Sequence, residues 1–127
     1  MNNVILPPFL KKDDRVAIVS PAGAIDADLV DGAIEVLKTW GLRPEKREYT
    51  TAKVGRFAGY DKWRCDDLQT VLDDPSIAAV LCSRGGYGTM RIIDKIDLTI
   101  DEFEDKIKTT NPDIVFVDYV QLLENAY

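Results

Sequence analysis

Apolar residues in this chain alternate between short unbroken runs and helical spacings, and that alternation predicts the architecture. Arg15-Val16-Ala17-Ile18-Val19-Ser20-Pro21 is a continuous apolar run closed by a proline and Gly23, the pattern of a central parallel strand covered on both faces. Leu29, Val30, Ala33, Ile34, Leu37 and Trp40 then recur at intervals of three and four. They predict a helix capped by Asp26 or Asp28 and stopped at Gly41. Arg43 to Thr50 is extended in type but charged, and Pro44 lacks a ladder donor, so this strand belongs at a sheet edge.

A loop over Val54–Gly59 leads to a second predicted helix, Asp61 to Leu72, with Arg64, Leu68, Val71 and Leu72 on one side. Tyr60 and Trp63 form an aromatic pair on its other flank, which calls for an apolar cover there. Asp73-Asp74-Pro75-Ser76 ends that helix, and Ile77–Cys82 is a second buried strand type. Met90, Ile92, Ile93 and Ile96 predict a short third helix ending by Asp97. Thr99-Ile100-Asp101-Glu102 matches a capping box for a fourth, striped by Ile100, Phe103 and Ile107. Asn111-Pro112 breaks it before a strong strand, Asp113–Val120, and a short closing helix, Gln121–Tyr127. Strands alternating with helices imply right-handed crossovers. The expected fold is therefore α/β, a three-layer Rossmann or flavodoxin-like sandwich with a four-stranded parallel sheet ordered 2-1-3-4 and helices on both faces.

Composition narrows the function. The 127 residues suit one domain, 1–127, with 46% hydrophobic and 30% charged residues. A net charge of −6 argues against nucleic acid as a partner, and no run approaches the length of a membrane span. A cytoplasmic protein with no cofactor, no metal and no obligatory protein partner is expected. Cys65 and Cys82 stand apart with no CxxC, as two reduced, packed thiols. The sequence contains no histidine, so it holds no Ser-His or Cys-His nucleophile pair.

The candidate chemistry lies in the turn after the Ile77–Cys82 strand. Arg84, Gly85, Gly86, Tyr87, Gly88 and Arg91 form a glycine-rich connection at the place where open parallel sheets bind ligands. Its amides, a following helix N-terminus, Arg84 and Arg91 predict a site for a carboxylate or phosphate, filled if only by an adventitious anion. The alternative is a plain strand-to-helix connection, with Tyr87 packed on it. Asp118 is a strand-end acid that can be read as a metal ligand or as an isolated carboxylate.

Two resemblances are carried by these residues. Leu10-Lys11-Lys12, Asp14–Ala22, Phe57-Ala58-Gly59, Arg64, Asp67-Leu68, Cys82–Gly88 and Arg91, in that order, resemble the N-terminal half of the LD-carboxypeptidase family, which includes murein tetrapeptide carboxypeptidases and microcin C self-immunity proteins. The resemblance covers about residues 8–98. It implies that the glycine turn is one wall of a serine peptidase site whose amides serve the developing oxyanion. The family's nucleophile follows a further strand, in a Gly-(Phe/Tyr)-Ser-Asp type sequence, and its Glu and His partners come from a C-terminal domain. Ser20 and Ser83 do not match the nucleophile's position. Asp13, Tyr60, Trp63 and Cys65 stand where the family more usually carries glycine, a small capping residue, a charged residue and an apolar one.

From Asp101 onward, Ile107 with Asn111–Leu123 resembles the Walker B strand of replicative-helicase and RecA-type ATPases, although no Gly-x-x-x-x-Gly-Lys-(Ser/Thr) is present. A peptidase-like part, 1–98, joined without a linker to a helicase-like part, 99–127, marks an engineered chimera. On that reading Tyr60, Trp63 and Cys65 pack the new junction, and the protein has no complete active site and no native enzymatic activity. Two alternatives are a truncated LD-carboxypeptidase-like serine peptidase domain and a weak anion-binding module.

Overall fold

The computed structural model describes residues 8–97 and the strand Phe116–Val117. Its elements are β1 (Arg15–Val19), α1 (Ala27–Thr39), β2 (Arg43–Lys46), α2 (Asp61–Asp73), β3 (Ile77–Cys82) and β4 (Phe116–Val117). The pairings are all parallel. β2 and β3 flank β1, so β1 is central and β2 is the charged edge that Pro44 requires. Three full strands, β2-β1-β3, make the described sheet rather than four complete ones. Of the expected strand Asp113–Val120, only Phe116–Val117 is described, parallel to β3 through Val80↔Phe116 and Leu81↔Val117. The fourth helix, the closing helix and Asp118 lie outside the described residues.

Alternation along β1 builds two cores, one on each face of the sheet. Val16 and Ile18 pack with Val30, Ala33 and Leu37 of α1, whereas Ala17 and Val19 pack with Leu68, Val71 and Leu72 of α2. Three layers follow: α1, sheet, α2. The β1–β3 register slips between Arg15 and Val16, where Ile77 and Ala79 are the partners and Ala78 is the extra residue. The slip lets Ile77 and Val80, three apart, both face α2.

Local signals set the helix ends. Asp26 occupies the N-cap position of α1 in extended conformation, though its carboxylate makes no cap bond, and Gly41 takes φ +80° just past the helix. Leu29 and Trp40, expected on the buried stripe, are exposed; Val36 is buried instead. Asp13, at a position where the resemblance expects glycine, takes φ +70°, and its N–H bonds Gly41 O at 2.8 Å. Aspartate is one of the few side chains that tolerates this region.

The expected third helix is instead two 3-10 turns, Thr89–Arg91 and Ile93–Lys95. Only Ile92 and Ile96 turn toward the α2-side core, while Met90 and Ile93 are exposed. Two inward positions four apart do not make a helical stripe, and i→i+3 bonds such as Ile92 N–H to Thr89 O suffice. The apolar flank of α2 has the cover its aromatics require. Trp63 stacks on Tyr49 at 4.8 Å and 9°, and Tyr60 meets it edge-on at 4.8 Å. Cys65 packs in the α2-side core with Leu68 and Ile92. These described partners all lie before residue 98, and the expected packing of Tyr60, Trp63 and Cys65 against a junction at 99 lies outside the described residues. The three side chains pin the loop after β2 and the start of α2 to the sheet.

Candidate functional site

The strand ends beside the glycine turn are tied by a buried hydroxyl network. Ser83 N–H continues the β1–β3 pairing onto Val19 O at 2.8 Å. Ser20 Oγ lies 2.6 Å from Ser83 Oγ and 2.5 Å from Thr50 O, while Thr50 Oγ1 donates to Ile18 O at 2.7 Å. All three residues are buried. Ser20 and Ser83 therefore hold strand ends together, and neither hydroxyl is presented to a ligand.

Arg64 organises the layer above them. It reaches up from α2, is 1% exposed, and bonds three separate loops: Pro21 O at 3.0 Å after β1, Gly59 O at 2.9 Å before α2, and Gly88 O at 3.2 Å in the glycine turn. Its guanidinium also pairs with Asp61 at 2.8 Å and lies 4.9 Å from the Phe57 ring centroid. A buried charge is tolerable when its donors are used in this way. The sequence placed Arg64 on the inward face of α2 but gave no sign of what it would bond.

Arg91 is committed as well. Its Nε bonds both Asp61 oxygens, at 3.0 and 3.1 Å, and its Nη2 lies 3.0 Å from Oδ2. It is thus a structural partner rather than a free cation at the turn. Hydrogen bonds from Arg91 and then from Arg64 outweigh the effect of burial and hold the Asp61 carboxyl at about 2, below its ordinary 3.8. The folded state binds that proton more weakly than the unfolded chain does. The stabilisation is therefore whole above the unfolded value and is lost as pH falls from near 4 toward 2. Denaturant midpoints of the wild type and Asp61→Asn should converge over that window. A gap that stayed constant with pH would show that the carboxylate's charge is not what matters.

Beside this clamp is an open pocket of about 370 Å³ at the C-terminal ends of β1 and β3. Three loops wall it. Gly23 and Ala24 follow β1; Lys53, Gly55 and Arg56 come from a tight turn closed by reciprocal Val54–Phe57 backbone bonds; Arg84, Gly85, Gly86 and Tyr87 form the glycine turn. Ala24 N–H to Arg56 O at 3.0 Å ties the first wall to the second. Gly86, at φ +116°, has open space where a side chain would stand. Among the described residues, the N–H groups of Gly85 and Gly86 have no carbonyl partner.

Among the described residues, every charged side chain in the lining is a cation. Arg84 lies across Gly23 and gives one bond, to Ala24 O at 3.1 Å. Arg56 stands 5.7 and 5.8 Å from the Phe57 and Tyr87 centroids, and those rings tilt together at 6.1 Å. Lys53 is exposed. Of the residues singled out in sequence, Arg84, Gly85, Gly86 and Tyr87 meet here. Gly88 packs against Ala22, and Arg91 is turned to Asp61. Lys53 and Arg56 were missed, their signal being only two cations on either side of Val54-Gly55. The following segment is too short to act as a helix N-terminus. Among the described residues no group of acid, cysteine or histidine side chains could hold a metal, and no helix is long and apolar enough to cross a membrane.

Comparison with known proteins gives this geometry a family. Residues 16–116 match the LD-carboxypeptidase N-terminal domain. A protein of Bacillus subtilis named probable murein peptide carboxypeptidase is 34% identical over 111 residues, covering 87% of this chain and 35% of that protein. The solved muramoyltetrapeptide carboxypeptidase of Oxalobacter formigenes is 26% identical with a TM-score of 0.62, over 80% of this chain and 31% of that one. The microcin C7 self-immunity protein, at 15% identity, has a TM-score of 0.71 over 91% of this chain and 33% of its own, which shows the shared fold.

The chain spans about a third of the length of the relatives it matches. These matches do not support a two-parent reading with its junction at 99. An alignment of 111 residues cannot fit within residues 1–98, and the family match spans the expected junction at 99 and ends at Phe116. Of the Walker B likeness of Ile107 with Asn111–Leu123, only Phe116–Val117 falls within the described residues. From β1 through β4, this chain belongs to the LD-carboxypeptidase family, as its N-terminal domain.

Proposed function

We propose that this chain forms the substrate-holding wall of an LD-carboxypeptidase-type site. On this reading the glycine turn receives a peptide's C-terminal carboxylate, or the oxyanion that develops next to it. The observation that carries the reading is the pocket at the C-terminal edge of the sheet, where, among the described residues, the Gly85 and Gly86 amides have no carbonyl partner and the charged lining residues are all cations. Oriented N–H groups and guanidinium donors stabilise negative charge without reorganising, which is what a developing oxyanion needs. The substrate class, a murein-type peptide, follows the names of the relatives.

The described half of the site binds rather than cleaves. Ser20 and Ser83 are buried and bonded to one another, and the sequence has no histidine to serve as base. The resemblance assigns nucleophile, glutamate and histidine to other parts of the family's full-length fold. Titrating D-alanyl-D-alanine into 15N-labelled protein should move the Gly85 and Gly86 amide resonances in the millimolar range, and a parallel assay for D-alanine release from a tetrapeptide should read blank. Unmoved glycine resonances would reject the binding role. Sustained D-alanine release would reject the division of labour.

A further inference from the structure

We infer that the pocket is selective for doubly charged anions, through Lys53 and Arg56 acting with Arg84 as a charge-reading group separate from the turn amides. Among the described residues, Lys53 and Arg56 have no ion-pair partner, and Arg84 bonds only a backbone carbonyl. Nearby Asp61 is no substitute partner, because Arg64 and Arg91 occupy it. The net charge of −6 makes this grouping the more notable: in a protein rich in carboxylates, three cations line one cavity with no ion-pair partner among the described residues. Arg56 is also steadied by two aromatic faces, so its guanidinium is held toward the cavity without a carboxylate to hold it.

A singly charged ligand on the turn amides would leave most of that positive charge unneutralised. A second negative charge on the same ligand would meet it at close range, where screening by salt is weak. The chemistry read is therefore a phosphate monoester or a dicarboxylate, in preference to a simple carboxylate or a phosphodiester. The inference shares the pocket with the proposed function, but its failure and the failure of that reading produce different results.

The absence of histidine makes the test clean, because no imidazole in this chain changes charge between pH 5 and 7.5. Methyl phosphate loses its second proton near pH 6, about the value for phosphate monoesters, whereas dimethyl phosphate stays singly charged. At pH 7.5 methyl phosphate and malonate are the doubly charged probes, and dimethyl phosphate and acetate are their singly charged controls. Binding is followed through the Gly85, Gly86 and Arg56 amide resonances. At least one doubly charged probe should bind about tenfold tighter than its control, and which one does so identifies the ligand's source. The advantage of methyl phosphate should vanish at pH 5. Lys53→Ala/Arg56→Ala, which alters two exposed side chains, should abolish the preference, while amide resonances away from the pocket show that the fold is retained. Equal affinities within both pairs, or a preference that survives the double substitution, would overturn the inference. Silence of the glycine amides toward every carboxylate would instead count against the proposed function.

Discussion

Arg64→Met should destabilise the domain by about 3 kcal/mol or more, the range for breaking a buried charged network from one side. Methionine keeps the apolar length of the side chain on the Phe57 face, so the loss reports the guanidinium rather than a cavity. Pro21 O, Gly59 O and Gly88 O would each lose a donor, and they belong to the three loops that converge behind the site. Asp61 would keep Arg91, which limits the damage at the carboxylate. Arg64→Lys tests geometry against charge. An ammonium is a point donor and cannot reproduce a planar fork that reaches three carbonyls, so lysine should recover less than half of the loss. Urea unfolding measures both variants. A loss below about 1 kcal/mol for methionine would mean that water satisfies those carbonyls and that the loops do not depend on Arg64.

How much of this was legible before the structure depends on the range of the signal. β1, α1, α2 and β3 follow from local periodicity, and their bounds agree with it because both faces of the sheet are covered within the same stretch of chain. The segment after the glycine turn misled. Met90, Ile92, Ile93 and Ile96 suggest a helix by count, yet burial selects only Ile92 and Ile96. Arg64 was visible as a charge on an apolar face, but its partners are carbonyls, which every residue carries and no sequence distinguishes. Lys53 and Arg56 were hidden for the opposite reason. Isolated loop cations are usually solvated, and their significance comes from Arg84 and the turn, thirty residues away in sequence, which close the same pocket. The segment around Phe116–Val117 shows the limit of a short likeness. Buried apolar runs recur across parallel α/β folds, and it is the family match, running to Phe116, that carries the likeness beyond residue 98.

Gly88→Ala should be the most damaging single substitution in the turn, at about 2–5 kcal/mol, because backbone strain and a steric clash coincide there. The residue sits at φ +147°, a region L side chains rarely adopt, and an added Cβ would lie 2.8 Å from Ala22 Cα and 3.2 Å from the Phe57 ring. Backbone on one side and a ring held by arginines on the other leave little room to relax. Gly86→Ala is the control: its φ of +116° carries strain of about 1–3 kcal/mol, but nothing lies within 4 Å of the new methyl. Its unfolding penalty should therefore be clearly smaller, although the methyl enters the pocket and should weaken anion binding at the turn. The two glycines would then separate by role, Gly88 letting two backbones touch and Gly86 keeping the cavity open. Equal penalties from thermal or urea unfolding would show that conformation alone demands glycine at both positions. In that case the contact with Ala22 would not be what fixes the turn against the end of β1.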